Sequence, residues 1–117
     1  MNKFELFTLI YFVLEAYYED EVEENEKLNI VLSDMNPFVW KDCMSADPAM
    51  YAEYVDFIGD RKITIKNSLS IAKNYVKTIE FYDVTEAFAE MTDDEWIPVC
   101  KEYLESAHKG SEAGCVF

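Results

Sequence analysis

The stretch from Phe4 to Glu26 constrains the fold more than any other, because its two halves demand opposite surroundings. Residues 6–14 read LFTLIYFVL, apolar except for Thr8, so a helix built from them has almost no side that can face water. Residues 15–26 read EAYYEDEVEENE, with seven carboxylates and no base. The first half calls for the centre of a core. The second is a charged collar that must stay in solvent.

The rest of the chain supplies helices to surround that centre. Half of the 117 residues are hydrophobic and 15% are aromatic, which supports a packed core rather than a disordered acidic chain. Three glycines and three prolines leave little turn punctuation, so long helices with short connections are expected. The fold class read from this is all-α: one domain over residues 1–110, a bundle of about five to six helices, with 111–117 as a flexible tail.

The first helix is expected from an Asn2 N-cap, with Glu5 at the complementary position. The collar either continues that helix or bends out of it; continuation would put Glu15, Glu19, Glu23 and Glu26 on one face. Leu28, Val31, Leu32 and Met35 mark a second helix, ended by Asn36-Pro37. Residues 36–47 form the longest irregular stretch, and its Phe38, Val39 and Trp40 are expected to fold back onto the core. Asp47-Pro48 opens a third helix and Gly59 closes it. Residues 61–79 carry Arg61, Lys62, Lys66, Lys73 and Lys77 and no acid. A helix beginning near Lys62 would align its lysines in a stripe, either a solvated face or an internal partner for the collar.

A short helix from about Asp83 follows, and Thr92-Asp93-Asp94-Glu95 predicts a capping box for the last helix, with Met91 and Trp96 as its hydrophobic staple. Pro98 falls in that helix's second turn, and Gly110 is its expected terminator. His108 is then expected in its last turn, where a cation complements the helix C-terminus.

Charge and chemistry narrow the function classes. The formal charge is −14, with 14 acids against 3 bases in residues 1–60 and 10 against 7 in residues 61–117. Such a chain repels phosphates and anionic lipid, so direct nucleic-acid or membrane binding is disfavoured and a basic partner favoured. Cys43, Cys100 and Cys115 are odd in number and show no C-x-x-C spacing, which argues against a disulfide framework or a zinc site and fits a reducing cytoplasm. Glu5 interrupts the leading apolar run, so no secretory signal is expected. No H-E-x-x-H, G-x-S-x-G or G-x-x-x-x-G-K-[ST] pattern occurs, and the acidic run lacks the glycine and spacing of an EF-hand loop. The chain is therefore read as a binding protein rather than an enzyme, with no cofactor and no metal. Its candidate partner-binding residues are Glu15, Glu19, Asp20, Glu21, Glu23, Glu24 and Glu26, with Tyr18 and Trp40 as anchors of the type that dominates interfaces. Of Tyr17 and Tyr18, one is expected in the core.

Asn36-Pro37-Phe38-Val39-Trp40, Ser45-Ala46-Asp47-Pro48 and Met91-Thr92-Asp93-Asp94-Glu95-Trp96, in a small acidic helical chain, resemble the immunity proteins of bacterial polymorphic toxin and contact-dependent growth inhibition systems. The likeness spreads over the whole chain and carries no residue-level site. It implies a cytoplasmic protein that binds and neutralises a cognate toxin domain, often a basic nuclease. The alternative is an acidic nucleic-acid mimic or regulatory subunit that inhibits a DNA-binding protein, recognisable by carboxylates spaced along an elongated surface. A third reading is a helical scaffold domain charged only for solubility.

Overall fold

Asn2 begins the first helix in the computed structural model, which describes residues 1–111. Its side chain accepts from the Glu5 N–H at 2.7 Å while Glu5 accepts from the Asn2 N–H at 2.8 Å, a complete capping box. The helix α1 spans Lys3–Tyr17 and buries Phe4, Leu6, Phe7, Leu9, Ile10 and Leu14. Even Thr8 is buried, its hydroxyl donating back to the Phe4 carbonyl at 3.0 Å. Five further helices follow: α2 (Glu26–Met35), α3 (Pro48–Ile58), α4 (Ile65–Val76), α5 (Glu86–Ala89) and α6 (Asp93–Glu105). No strand occurs among the described residues.

The apolar half of the leading stretch is the centre of this bundle. α1 touches α2, α3, α4 and α5, and α6 is held against α4. Phe7 packs against Tyr54 at 4.9 Å and Tyr51 at 5.1 Å, and Tyr54 meets Tyr75 edge-on at 4.9 Å. The radius of gyration, 13.4 Å, matches the ~13 Å of a compact chain of this size, so the helices share one packed body.

Local signals set most helix ends. Asp47 caps α3 by accepting from Ala49 N–H, Pro48 is its first residue, and Gly59 closes it at φ 61°, the left-handed region glycine occupies without strain.

Several expectations differ from the structure. α4 starts from Thr64, which forms a capping box with Asn67, so Lys62 lies before the helix and outside the basic face. Thr92 starts α6 without a side-chain cap bond to the backbone; its hydroxyl instead reaches Glu95 at 3.5 Å. α6 ends at Glu105 rather than near Gly110, and Ser106 turns the chain into extended backbone. His108 is thereby freed from the helix and placed against α1, with Nε2 2.6 Å from the Glu5 carboxylate and Nδ1 2.7 Å from the Ser106 carbonyl. Asn2 also donates to the Gly110 carbonyl at 2.7 Å, so the chain end after α6 is fastened to the start of α1.

The 36–47 loop does not bury its aromatics. Phe38, Val39 and Trp40 are about half exposed, while Pro37, Cys43 and Ser45 turn inward. Ser45 accounts for the inversion: its hydroxyl accepts from the Tyr51 N–H at 2.9 Å and donates to the Asp47 carbonyl, which fixes the loop's second half to α3. Cys43 is disulfide-bonded, contrary to the expectation of three reduced thiols. Cysteine spacing in sequence does not limit which thiols a fold brings together, so the spacing argument for a reducing compartment fails here. Cys100 is a free buried thiol on the inner face of α6, and burial pushes its pKa up to about 11. Cys115 and all but the first residue of the expected tail lie outside the described residues. No described helix is long and apolar enough to cross a membrane.

Candidate functional site

The acidic collar leaves α1 as a series of turns. Tyr18 closes the helix by donating its N–H to the Leu14 carbonyl at 3.0 Å, and its own carbonyl accepts from Glu21 and Val22. Asn25 then caps α2, accepting from Leu28 N–H and donating to the Tyr82 hydroxyl at 3.1 Å. Tyr18, buried, and Val22, half-buried, pin the segment to the body. The shared helical face of Glu15, Glu19, Glu23 and Glu26 therefore does not form. Continuing the helix would stack like charges at i, i+4, which costs a few tenths of a kcal/mol per pair, and would pull Tyr18 and Val22 from their anchorage.

The collar is thereby sorted into three parts. Glu15 accepts from the Tyr11 hydroxyl at 2.6 Å and is committed to α1. Glu26 is the first residue of α2, where a carboxylate suits the positive helix end. Glu19, Asp20, Glu21, Glu23 and Glu24 are exposed, and no base among the described residues pairs with them. The sole ion pair among the described residues is Glu5 with His108, so the collar and the lysine face are not matched internally. Lys66, Lys73 and Lys77 instead line a cleft of about 510 Å³ with Leu69 and Met91.

The two tyrosines part ways. Tyr18 is 3% exposed and belongs to the core, which removes it from any interface. Its hydroxyl is buried without a partner, and burial, with Glu86 next in importance, pushes its pKa up to about 12. An unsatisfied buried hydroxyl costs ~1–3 kcal/mol of desolvation. Tyr18→Phe is accordingly expected to stabilise the protein by about 1 kcal/mol, read as a shift of the urea midpoint to higher concentration at constant slope. A loss of stability would mean that the hydroxyl is bonded in solution.

Tyr17 is 47% exposed and brings in carboxylates the sequence did not connect to the collar. Burial followed by the charge of Glu86 raises the pKa of its hydroxyl. Glu86, Glu90 and Glu95 line a cleft of about 480 Å³ beside Tyr17, with Met91 at the edge it shares with the lysine cleft. The acidic surface therefore runs from the collar to the α5–α6 turn, where it meets the basic one. The i, i+4 spacing of Glu86 and Glu90 was the only local trace of this face.

Trp40 is not part of that surface. Its carbonyl and that of Pro37 accept from Lys109 at 2.6 and 2.7 Å, and Lys109 stands 5.2 Å over the Phe4 ring at the start of α1. The collar follows the other end of α1, ~20 Å along the helix at 1.5 Å per residue. Trp40 keeps its indole N–H on the Ala46 carbonyl and lies in the same loop as Phe38, which stacks on Phe12 at 5.7 Å. That is a separate aromatic patch. No group of side chains suited to hold a metal ion occurs among the described residues.

Comparison with protein-family models, with curated proteins and with solved structures finds no match to this chain.

Proposed function

We propose that this protein is an immunity protein that binds and neutralises a basic toxin domain, with the collar Glu19–Glu24 and the neighbouring Tyr17, Glu86 and Glu90 as the surface that meets it. The observation that carries the reading is the set of unpaired carboxylates on that surface. A fold that needed those charges for itself would pair them; left in solvent, they cost like-charge repulsion and attract a cation-rich surface. Tyr17 supplies the amphipathic ring that interface centres favour.

An acidic nucleic-acid mimic would need carboxylates spread along an extended face. The cleft of Lys66, Lys73 and Lys77 interrupts such a face, which ranks that reading second.

The test is isolation of the partner and a toxicity assay. Full-length tagged protein should retain from its native host a partner of net positive charge. That partner should arrest growth when expressed alone and be silenced by co-expression of this chain. The dissociation constant should rise steeply between 50 and 500 mM salt, since exposed charges are screened over roughly 10 Å at 0.1 M. A neutral or acidic partner, or one harmless to the cell, would overturn the proposal.

A further inference from the structure

A second surface lies where α2, α3 and the segment after α4 come together. α2 turns Leu28, Val31, Leu32 and Met35 inward, and Ile30 falls off that stripe, 39% exposed. Across from it Phe81, in the irregular segment after α4, is 50% exposed. Neither side chain is needed by the core in this position. Both line a groove of about 420 Å³, together with Val31, Met50, Tyr75 and Ile79. That volume falls within the ~300–1,000 Å³ of clefts that take ligands.

The rim gives the groove a sign. Asp34, Asp47, Glu53 and Glu80 line it, and no lysine or arginine does. Asp47 spends one oxygen on the α3 cap, whereas Asp34, Glu53 and Glu80 make no side-chain hydrogen bond or ion pair among the described residues. Lys27 stands 5.9 Å over the Phe81 ring, so that ring already accepts a cation on its face.

Charge decides among occupants. A second copy docked isologously would set these four carboxylates against themselves. Anionic lipid and nucleic acid meet the same repulsion, and a neutral apolar molecule leaves the rim unused. A segment that is both apolar and cationic uses everything the groove offers.

We propose that this groove receives a short cationic segment of a partner protein. The segment seats one or two large apolar side chains between Ile30 and Phe81, and its lysines or arginines meet Asp34, Asp47, Glu53 and Glu80. The proposal deepens the reading of this chain as a binder of a basic protein and rests on it only for the partner's charge.

Three synthetic amphipathic peptides of equal length test it on the full-length isotope-labelled protein. One pairs leucine with lysine, the second replaces lysine by glutamate, and the third replaces leucine by serine. The leucine–lysine peptide should shift the amide resonances of Ile30, Glu53 and Phe81, and the other two should bind about tenfold more weakly or worse. The surface variant Ile30→Ser/Phe81→Ser, checked for an unchanged melt, should lose the shifts. A variant with Glu19, Asp20, Glu23 and Glu24 changed to Lys should keep them. Equal binding of the leucine–glutamate peptide, or concentration-dependent self-association centred on Ile30, would overturn the proposal. So would loss of peptide binding in the collar variant but not in the groove variant, an outcome that leaves the collar's own role standing.

Discussion

Changing Glu19, Asp20, Glu23 and Glu24 together to lysine is expected to slow association with the basic partner about 10–10³-fold, with a much smaller effect on dissociation. Each change moves the charge by two, so the four take the chain from −14 to −6. Steering acts before contact, through the summed field, and the on-rate carries it; a rim charge adds little to the docked complex. The fold should not notice. All four side chains are exposed and unpaired, and the segment is held by Tyr18, Val22 and Asn25, which the variant keeps. The melting temperature should therefore stay within a few degrees of the parent. Stopped-flow association at 25 mM and 300 mM salt separates the outcomes: the parent should slow sharply as salt rises, and the variant should be slow in both. An on-rate that ignores the substitutions would remove the collar from the mechanism.

The collar also marks how far residues alone carry a reading of this chain. Apolar periodicity and caps are local, and they place the start of α1, the end of α2 and both ends of α3 almost to the residue through Asn2, Pro37, Asp47-Pro48 and Gly59. The same local logic cannot say which of two adjacent tyrosines turns inward. That depends on where α5 lies, and α5 is brought to α1 only by the closed bundle. The contact of His108 with Glu5 spans 103 positions, and the alliance of Tyr17 with Glu86 spans 69 by number, so no window along the chain contains either. The 36–47 loop fails for a related reason. Its aromatics predict burial by composition, but Ser45 and the Lys109 bonds to Pro37 and Trp40 spend the loop's polar contacts in a way that leaves those rings outside. The acidic surface was legible as a segment and invisible as a face.

Trp96→Ala is expected to cost about 3–5 kcal/mol, the range for removing a large aromatic from a core. A domain of this size is stabilised by only ~5–15 kcal/mol in total, so the variant should melt many degrees lower or lose its fold at 37 °C. Trp96 is fully buried, meets Phe88 of α5 edge-on at 5.9 Å, and donates its indole N–H to the Ser68 hydroxyl of α4 at 2.8 Å. It therefore ties three helices at once. Thr92 provides no side-chain cap for α6, so the start of that helix depends the more on this tertiary anchor. Ser68 keeps a use for its own proton, which goes to the Ile65 carbonyl at 2.8 Å, so Trp96→Phe should forfeit mainly the indole bond and some volume. Ser68→Ala instead leaves the indole N–H buried without an acceptor and should cost about 1–3 kcal/mol. Combining Trp96→Phe with Ser68→Ala should then cost less than the sum of the two, because the donor and acceptor leave together. Native-state hydrogen exchange should show the amides of α6 opening before those of α1 in Trp96→Phe. Additive costs in the double variant, or a Trp96→Ala protein that melts within a degree or two of the parent, would mean that the indole is not what fastens α6 to α4.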